Sequence, residues 1–202
     1  MPLNYDQYHG FIFDMDGTLL DTMPVHLIAW EQTAKKYRFP YSKDWIYSMG
    51  GMPSLKILAE INKRYQLNIP IQQASQFKMS TFTDISNHVK RIKPVTDVLE
   101  KHVGLKKIAV GTGSQCISAK RLLKLAGLYE NIEVLISAND VEHHKPNPDT
   151  FLLAAEQLDL QPSQCLVFED TVIGRQAAHA AQMDCVLWQD EQLVLYPWRG
   201  EK

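Results

Sequence analysis

The chain of 202 residues is long enough for one sizeable domain, or for a core domain that carries an insertion. Apolar residues make up 45%, charged residues 22%, and the formal net charge is −2, which is ordinary for a soluble globular protein. Because there is no basic stripe, charge block or apolar run of membrane-spanning length, neither nucleic acid nor a membrane is expected as a partner.

The N-terminal segment and the cysteines predict a cytoplasmic protein. Residues 1–10 lack the basic stretch followed by an apolar core that marks a secretory signal. Cys116, Cys165 and Cys185 are far apart, odd in number and form no CxxC pair, which suits a reducing compartment. Cys165 and Cys185 lie in apolar runs, so we expect them to pack in the interior. We also expect a monomer.

Five apolar runs are typical of buried parallel strands. They cover residues 11–13, 107–111, 134–138, 165–169 and 185–188. Amphipathic stretches with helical spacing accompany the later runs, over residues 118–128, 149–160 and 174–183. Alternating strands and helices predict an α/β fold, with a Rossmann-like parallel sheet covered on both faces.

The region between the first two strands is different. Residues 21–89 have mostly helical patterns, and Thr22 followed by Pro24 is typical of a helix start. The simplest arrangement is a helical cap inserted after the first strand, over the carboxyl ends of the strands, where open α/β sheets bind ligands. The predicted domains are therefore a core of residues 1–20 and 90–202 and a cap of residues 21–89.

Carboxylates follow the first strand at once. The stretch GFIFDMDGTLLDT contains Asp14, Asp16 and Asp21 within eight residues. An ordinary Asp-Gly turn is one explanation. However, side chains two apart on an extended chain point the same way, and two close carboxylates resist joint ionisation unless a cation lies between them. Such oxygen ligands suit Mg²⁺, and Gly17 permits a turn that leaves backbone N–H groups facing an anion.

Each later strand also ends in polar residues. Thr112 in GTGS can approach a phosphate, although a plain turn would look the same. Lys145 precedes a proline, which restricts its backbone to extended geometry and fixes its reach, although most loop lysines are simply solvated. Glu169 and Asp170 form a second acid pair that a shared cation would relieve. Together the strand ends predict a phosphoryl-transfer site with a nucleophile, phosphate donors and metal ligands.

Four motifs in this order resemble those of the haloacid dehalogenase superfamily. They are DMDGT, GTGS, the lysine of HHKPNPD and EDTVIG, and the resemblance covers essentially the whole chain, including the helical insertion. Within the superfamily, AVGTGS and the surroundings of the lysine are most similar to the β-phosphoglucomutase-like branch, and especially to its fructose-1-phosphate phosphatases. The resemblance implies an enzyme that transfers phosphoryl groups.

The resemblance also implies roles for the acidic residues. Asp14 corresponds to the nucleophile, which forms an aspartyl-phosphate, and Asp16 to the general acid and base. Mg²⁺ is expected on Asp14, on the backbone carbonyl of Asp16 and on Asp170, with Glu169 as a ligand through water.

The phosphoryl group has its own set of partners in the resembled family. Thr112 and Lys145 correspond to the side chains that hold it. Backbone N–H groups around Met15, Asp16 and Gly113 are expected to assist them.

The cap contributes fewer expectations. DTMPVHLIAW resembles the segment that places Thr22 and His26 toward the substrate, and Lys78 is a candidate contact to a sugar oxygen. In β-phosphoglucomutases a lysine and an arginine of the cap hold a second phosphate. Gly50 and Ser54 stand at those positions here, so the resemblance predicts no clamp for a second phosphate.

The leading hypothesis is a Mg²⁺-dependent phosphatase whose partner is a small phosphorylated sugar such as fructose 1-phosphate. The alternative is a β-phosphoglucomutase-type sugar-phosphate mutase, which the missing clamp disfavours. A catalytically silent binding module is disfavoured because all the charged positions needed for turnover are present. A metal-independent dehalogenase is disfavoured by Asp16 and by the acid pair of Glu169 and Asp170.

Overall fold

The sheet contains the five predicted strands and one more. The structure, a computed structural model, describes residues 4–200. Residues 1–3 and 201–202 lie outside the described part, so the expectation that residues 1–10 hold no secretory signal falls partly on residues that are not described. The strands are β1 (Gly10–Phe13), β2 (Lys107–Gly111), β3 (Val134–Ile136), β4 (Cys165–Glu169), β5 (Asp184–Gln189) and β6 (Gln192–Tyr196). Their order is β3-β2-β1-β4-β5-β6, and β1 to β5 are parallel. This confirms the predicted Rossmann-like α/β fold.

Eight α-helices occur within residues 4–200. The first four follow β1 and form the helical insertion, and the other four lie beside the strands of the sheet. They are α1 (Met23–Tyr37), α2 (Lys43–Ser48), α3 (Ser54–Tyr65), α4 (Ile71–Ile85), α5 (Lys93–His102), α6 (Cys116–Leu125), α7 (Asp149–Gln157) and α8 (Val172–Ala180). In this part of the chain, no helix combines the length and the apolar character needed to cross a membrane.

Side chains of β1 alternate between two hydrophobic cores. Phe11 and Phe13 pack with residues of α5 and α6 on one face of the sheet, and Ile12 packs with residues of α7 and α8 on the other. Because β1 pairs with both β2 and β4, its carboxyl end lies at the centre of the sheet edge. Cys165 and Cys185 are free thiols buried in the second core, as expected from their apolar surroundings.

The helices predicted beside the later strands are present, with different ends. Helix α6 begins at Cys116, before the predicted start, and it ends at Leu125, ahead of Gly127 with a φ of 66°. Helix α8 begins at Val172 because Thr171 caps it, accepting a hydrogen bond from the backbone N–H of Gly174 at 3.0 Å. Helix α5 was not among the predicted elements.

The sixth strand was also not predicted. Strand β6 pairs antiparallel with β5 through a two-residue turn at Asp190 and Glu191, whose φ values are 49° and 58°. Such turns usually carry Asn-Gly or Asp-Gly, because both central residues need positive φ. The usual sequence signal for a hairpin is therefore missing at this position.

The helices between β1 and α5 have a core of their own. Trp30, Ile46, Leu58 and Ala74, one from each of α1 to α4, belong to a single buried cluster. No strand occurs between residues 21 and 89, as the helical patterns predicted. This cluster is the hydrophobic core around which α1 to α4 pack.

The two connections to this helical segment run side by side. The backbone N–H of Asp21 donates to the carbonyl of Lys90 at 2.9 Å, and the N–H of Ile92 donates to the carbonyl of Leu19 at 2.9 Å. Arg121 of α6 donates to the carbonyl of Ser86 at 3.2 Å. The predicted boundaries at residues 20/21 and 89/90 fall at this crossing; the division into two domains stays a prediction.

Candidate active site

A cavity of about 170 Å³ lies between the carboxyl ends of β1 and β2 and the helices α1 to α4. Six of the predicted site residues line it, namely Asp14, Asp16, His26, Lys78, Thr112 and Gly113. Of the other predicted residues, Thr22, Lys145 and Glu169 are buried around it and Asp170 is half-buried. Chain segments far apart in sequence therefore meet at one edge of the sheet.

Asp14 and Lys145 form a buried ion pair at the floor of this site. Lys145 Nζ lies 2.6 Å from Asp14 Oδ1, 2.7 Å from Glu169 Oε1 and 3.0 Å from the carbonyl oxygen of Gly111. Burial alone would lower the pKa of Lys145, but the two carboxylates outweigh it and raise that pKa. Burial raises the pKa of Asp14 to about 8; Lys145 opposes this rise, and the charges of Glu169 and Asp16 add to it.

Both carboxylate oxygens of Glu169 accept hydrogen bonds from protein groups. Oε1 accepts from Lys145, while Oε2 accepts from the backbone N–H groups of Asp170 and Thr171 and from the Thr171 hydroxyl, each at 2.9 Å. Its carboxylate also packs against the Cα of Gly174, where a side chain would not fit. In this structure Glu169 therefore holds Lys145 and the start of α8, and its expected role as a metal ligand through water stays a prediction.

Three neutral donors surround Asp16. Thr22 Oγ1 donates to Oδ1 and Ser114 Oγ to Oδ2, both at 2.6 Å, and His26 Nε2 lies 3.2 Å from Oδ1. Burial would raise the pKa of Asp16, but these hydrogen bonds outweigh it and lower the pKa. Ser114 was not among the predicted site residues, although it is the last residue of the GTGS motif that pointed to the site.

Lys78 lies behind His26. Its Nζ is 2.7 Å from His26 Nδ1, and both side chains are largely buried. An ammonium can only donate, so Nδ1 must accept and Nε2 carries the proton that is donated to Asp16. Burial lowers the pKa of Lys78 to about 8, and burial together with Lys78 lowers the pKa of His26. The ammonium predicted to contact a sugar oxygen is directed at His26 here, so that contact stays a prediction.

Donors without an acceptor in the described part of the chain follow Asp14, and others follow strand β2. Within residues 4–200, the backbone N–H groups of Met15, Asp16 and Gly113 have no acceptor. Thr112 accepts a hydrogen bond from the N–H of Ser114 at 3.0 Å, and its own hydroxyl proton has no acceptor among the described residues. Together with the Lys145 ammonium, these groups form a set of donors suited to the oxygens of a phosphoryl group.

The acidic residues also fit a divalent cation. Asp170 Oδ2 is buried without a hydrogen-bond partner within residues 4–200. Burial and the charges of Glu169 and Asp14 raise the pKa of Asp170. Gly17, with a φ of 91°, brings its Cα so close to this carboxylate that a side chain would not fit. No three His, Cys, Asp or Glu side chains of the described chain cluster as a metal site. The ligand set implied by the resemblance, two carboxylates of Asp14 and Asp170 plus the Asp16 carbonyl, stays a prediction.

The cap side of the cavity touches the core at a pair of glycines. A Cβ on Gly113 would overlap the carbonyl oxygen of Gly51, so the two backbones are in direct contact. Gly50 and Ser54, the positions where a second phosphate would need cations, both line the cavity and carry no charge. At these positions the cavity is therefore lined by backbone and by neutral side chains. The resemblance predicts no clamp for a second phosphate at the same positions.

Known proteins are similar in sequence to this chain over most of its length. The family model of the haloacid dehalogenase-like hydrolases matches residues 11–188. The fructose-1-phosphate phosphatase YqaB of Escherichia coli is 38% identical over 182 residues, which cover 90% of this chain and 97% of that protein. The β-phosphoglucomutase of Bacillus subtilis is 25% identical over 183 residues, covering 87% of this chain and 80% of that one.

A solved structure shows the same fold. A hydrolase from Pseudomonas syringae superposes with a TM-score of 0.82 at 24% identity, covering 89% of this chain and 84% of that one. The comparisons confirm the predicted resemblance and the predicted class of phosphoric monoester hydrolase. The chain belongs to the haloacid dehalogenase-like hydrolase family.

Proposed function

We propose that this protein is a Mg²⁺-dependent phosphatase that hydrolyses small sugar monophosphates, with fructose 1-phosphate among its good substrates. The core of residues 1–20 and 90–202 would carry the chemistry, and residues 21–89 would form the cap that encloses the sugar. The similarity to a fructose-1-phosphate phosphatase over 90% of the chain supports this substrate class. A monomeric state stays a prediction.

The surroundings of Asp14 are the main support for the proposal. Asp14 lines a cavity beside a buried ammonium, and the unpartnered N–H groups of Asp16 and Gly113 and the Thr112 hydroxyl belong to residues of the same lining. A carboxylate in that position can attack phosphorus only where donors neutralise the oxygens of the phosphate, and this site provides such donors. The arrangement favours turnover over simple binding, because Asp16 is held where a proton must be exchanged.

In the first step, Asp14 attacks the phosphorus atom and forms an aspartyl-phosphate, while the bond to the sugar oxygen breaks. Asp16 donates its proton to that leaving oxygen. The hydrogen bonds around Asp16 lower its pKa in the ligand-free protein. An arriving phosphate dianion adds like charge and raises that pKa again, which favours the protonated form needed here. Lys145 and Thr112 hold the oxygens of the transferring group.

In the second step, Asp16 takes a proton from water as the water attacks the phosphoryl group on Asp14. The carboxylate of Asp14 leaves, inorganic phosphate departs and Asp16 is protonated for the next cycle. His26 keeps Asp16 oriented in both steps, since its Nε2–H lies 3.2 Å from Oδ1 and its ring stacks on Phe82 with centroids 3.9 Å apart. Lys78 fixes the tautomer of His26 that can do so.

Asp14, Asp170 and the backbone carbonyl of Asp16 would hold Mg²⁺. When bound, the ion would offset the repulsion between the carboxylate nucleophile and the phosphate dianion. The unpartnered oxygen of Asp170 and the raised pKa values of Asp14 and Asp170 support a cation there.

The test is phosphate release from a panel of phosphorylated sugars, with Mg²⁺ and after complete chelation. We expect fructose 1-phosphate to be hydrolysed with Mg²⁺, and activity to disappear on chelation and return when Mg²⁺ is restored. Full activity in the chelated protein would contradict metal dependence. Release of no phosphate from any sugar phosphate would contradict the proposed function.

A second assay separates the phosphatase from the mutase alternative. Glucose 1-phosphate is supplied with glucose 1,6-bisphosphate as a primer, and both glucose 6-phosphate and inorganic phosphate are followed. We expect phosphate release without interconversion, because Gly50 and Ser54 offer no cation to a second phosphate and a desolvated dianion needs one. Faster formation of glucose 6-phosphate would contradict this. Lys78, which lines the cavity, would then be the first candidate for the second grip.

The glycine contact between cap and core provides a further prediction. In Gly113→Ala the new Cβ meets the carbonyl of Gly51, so the cap cannot reach its closed position. We expect kcat/KM for fructose 1-phosphate to fall about 100-fold, because small displacements of reacting groups cost rate steeply. Thermal denaturation serves as the control and should show an intact fold. A fall of less than threefold would mean that closure does not depend on this contact.

A further inference from the structure

One hydroxyl of the cap faces the cavity without a partner among residues 4–200. Ser75 lies on α4, three residues before Lys78 and four before Met79, so all three side chains share one face of that helix. All three line the cavity. Ser75 is only 5% exposed, which means that the surface it retains belongs to the cavity and not to bulk solvent.

The hydroxyl of Ser75 makes no hydrogen bond to any group in the described part of the chain. Two other hydroxyls of the same helix behave differently: Thr81 donates to the carbonyl of Phe77 and Thr83 to that of Met79, both at 2.9 Å. A carbonyl four residues back is the usual partner of a serine or threonine within a helix. Ser75 has not used it, so its hydroxyl is available to a molecule in the cavity.

The surroundings of Ser75 limit what that molecule can present. Much of the cap wall is apolar, with Met23, Leu27, Trp30 and Met52 among its members. The Lys78 ammonium is engaged with His26, and the Ser54 hydroxyl meets only the Met79 sulfur, at 3.7 Å. The one ammonium among the described lining residues is that of Lys78, which already donates to His26, whereas a neutral hydroxyl in the cavity can both donate to and accept from Ser75.

We propose that Ser75 is a specificity-determining residue whose hydroxyl hydrogen-bonds a hydroxyl on the non-phosphate part of the substrate. This inference rests on the proposed phosphatase function and refines it. The enzyme selects phosphate esters whose non-phosphate part is neutral and carries hydroxyls over esters whose non-phosphate part has none. The selection arises because an ester without a hydroxyl leaves the buried Ser75 unpaired.

The experiment compares fructose 1-phosphate with phenyl phosphate. In phenyl phosphate the group bound to the phosphate carries no hydroxyl. The quantity measured is the ratio of kcat/KM for the two substrates, in the wild type and in Ser75→Ala. The matched control is Ser80→Ala, the same change on the exposed side of the same helix. The Ki of inorganic phosphate is measured in each protein, since phosphate does not reach Ser75 and a general disturbance of the cavity would change that Ki.

We expect the ratio to fall about tenfold in Ser75→Ala, mainly through KM, and to stay within about twofold in Ser80→Ala. The Ki of phosphate should be the same in all three proteins. An unchanged ratio in Ser75→Ala overturns the inference while leaving the phosphatase assignment intact. A wild type that hydrolyses phenyl phosphate but no sugar phosphate also overturns it. A wild type that hydrolyses neither ester overturns the proposed function and this inference together.

Discussion

Asp14→Asn is expected to lower kcat for phosphate-ester hydrolysis by at least roughly 10⁴-fold, by analogy with the loss of the nucleophile in other covalent enzymes. The amide is nearly isosteric with the carboxylate, but its oxygen is a poor nucleophile and it cannot form the proposed aspartyl-phosphate. The amide keeps one oxygen that can accept from Lys145, whose Nζ is 2.6 Å from Asp14 Oδ1 in the wild type. The fold should therefore survive.

The measurement is steady-state hydrolysis of fructose 1-phosphate at saturating Mg²⁺, together with thermal denaturation. Asp21→Asn is the matched control, because Asp21 belongs to the same loop but is exposed and outside the cavity. It should keep near wild-type activity. Substantial turnover in Asp14→Asn, measured before any deamidation has occurred, would show that another group attacks the phosphorus.

Lys145→Met is expected to impair both stability and catalysis. Lys145 is 1% exposed and contacts Asp14, Glu169 and the carbonyl of Gly111. Its loss leaves two buried carboxyl groups without their cation, and breaking a buried pair in this way costs about 3–5 kcal/mol of unfolding free energy. We also expect kcat to fall about 10²- to 10³-fold, as for the loss of one preorganised donor to the transition state.

The stability of the metal-free variant should depend on pH in a definite direction. Lys145 lowers the pKa of Asp14, so its removal raises that pKa further above the value in the unfolded chain. The folded variant then binds more protons than the unfolded chain, and its stability falls as the pH rises. The additional fall in the Tm of Lys145→Met, relative to the wild type, should appear as the pH rises from about 8, where Asp14 of the wild type loses its proton and Asp14 of the variant still keeps it.

Chemical denaturation, Tm against pH and steady-state kinetics together check this prediction. Lys120→Met, which changes an exposed lysine of α6, is the control for the loss of a positive charge. It should leave stability and kcat close to those of the wild type. A change in kcat below threefold in Lys145→Met would mean that Lys145 is a structural loop residue and not a partner of the phosphoryl group.

Five of the six strands and the location of the candidate site could be predicted from the amino-acid sequence alone. Continuous apolar runs predicted β1 to β5, because strands covered on both faces need apolar residues at every position. The polar residues in the segments that follow those runs are expected to meet at one edge, since parallel strands end on the same side. Asp14, Thr112, Lys145 and Asp170 could therefore be found without coordinates. Strand β6 escaped prediction because its turn carries Asp190 and Glu191 in place of the usual glycine.

The pairing of the polar groups became visible only in the folded chain. Lys145 reaches Asp14 across 131 positions in sequence and Ser114 reaches Asp16 across 98, so neither partnership leaves a local pattern. The same holds for the contact of Gly113 with Gly51, for Glu169 as the holder of Lys145, and for the unpaired hydroxyl of Ser75. Local periodicity specifies which side of an element is buried. A hydrogen-bond partner depends on distances of a few tenths of an ångström between elements, and these exist only once the helices and strands have packed.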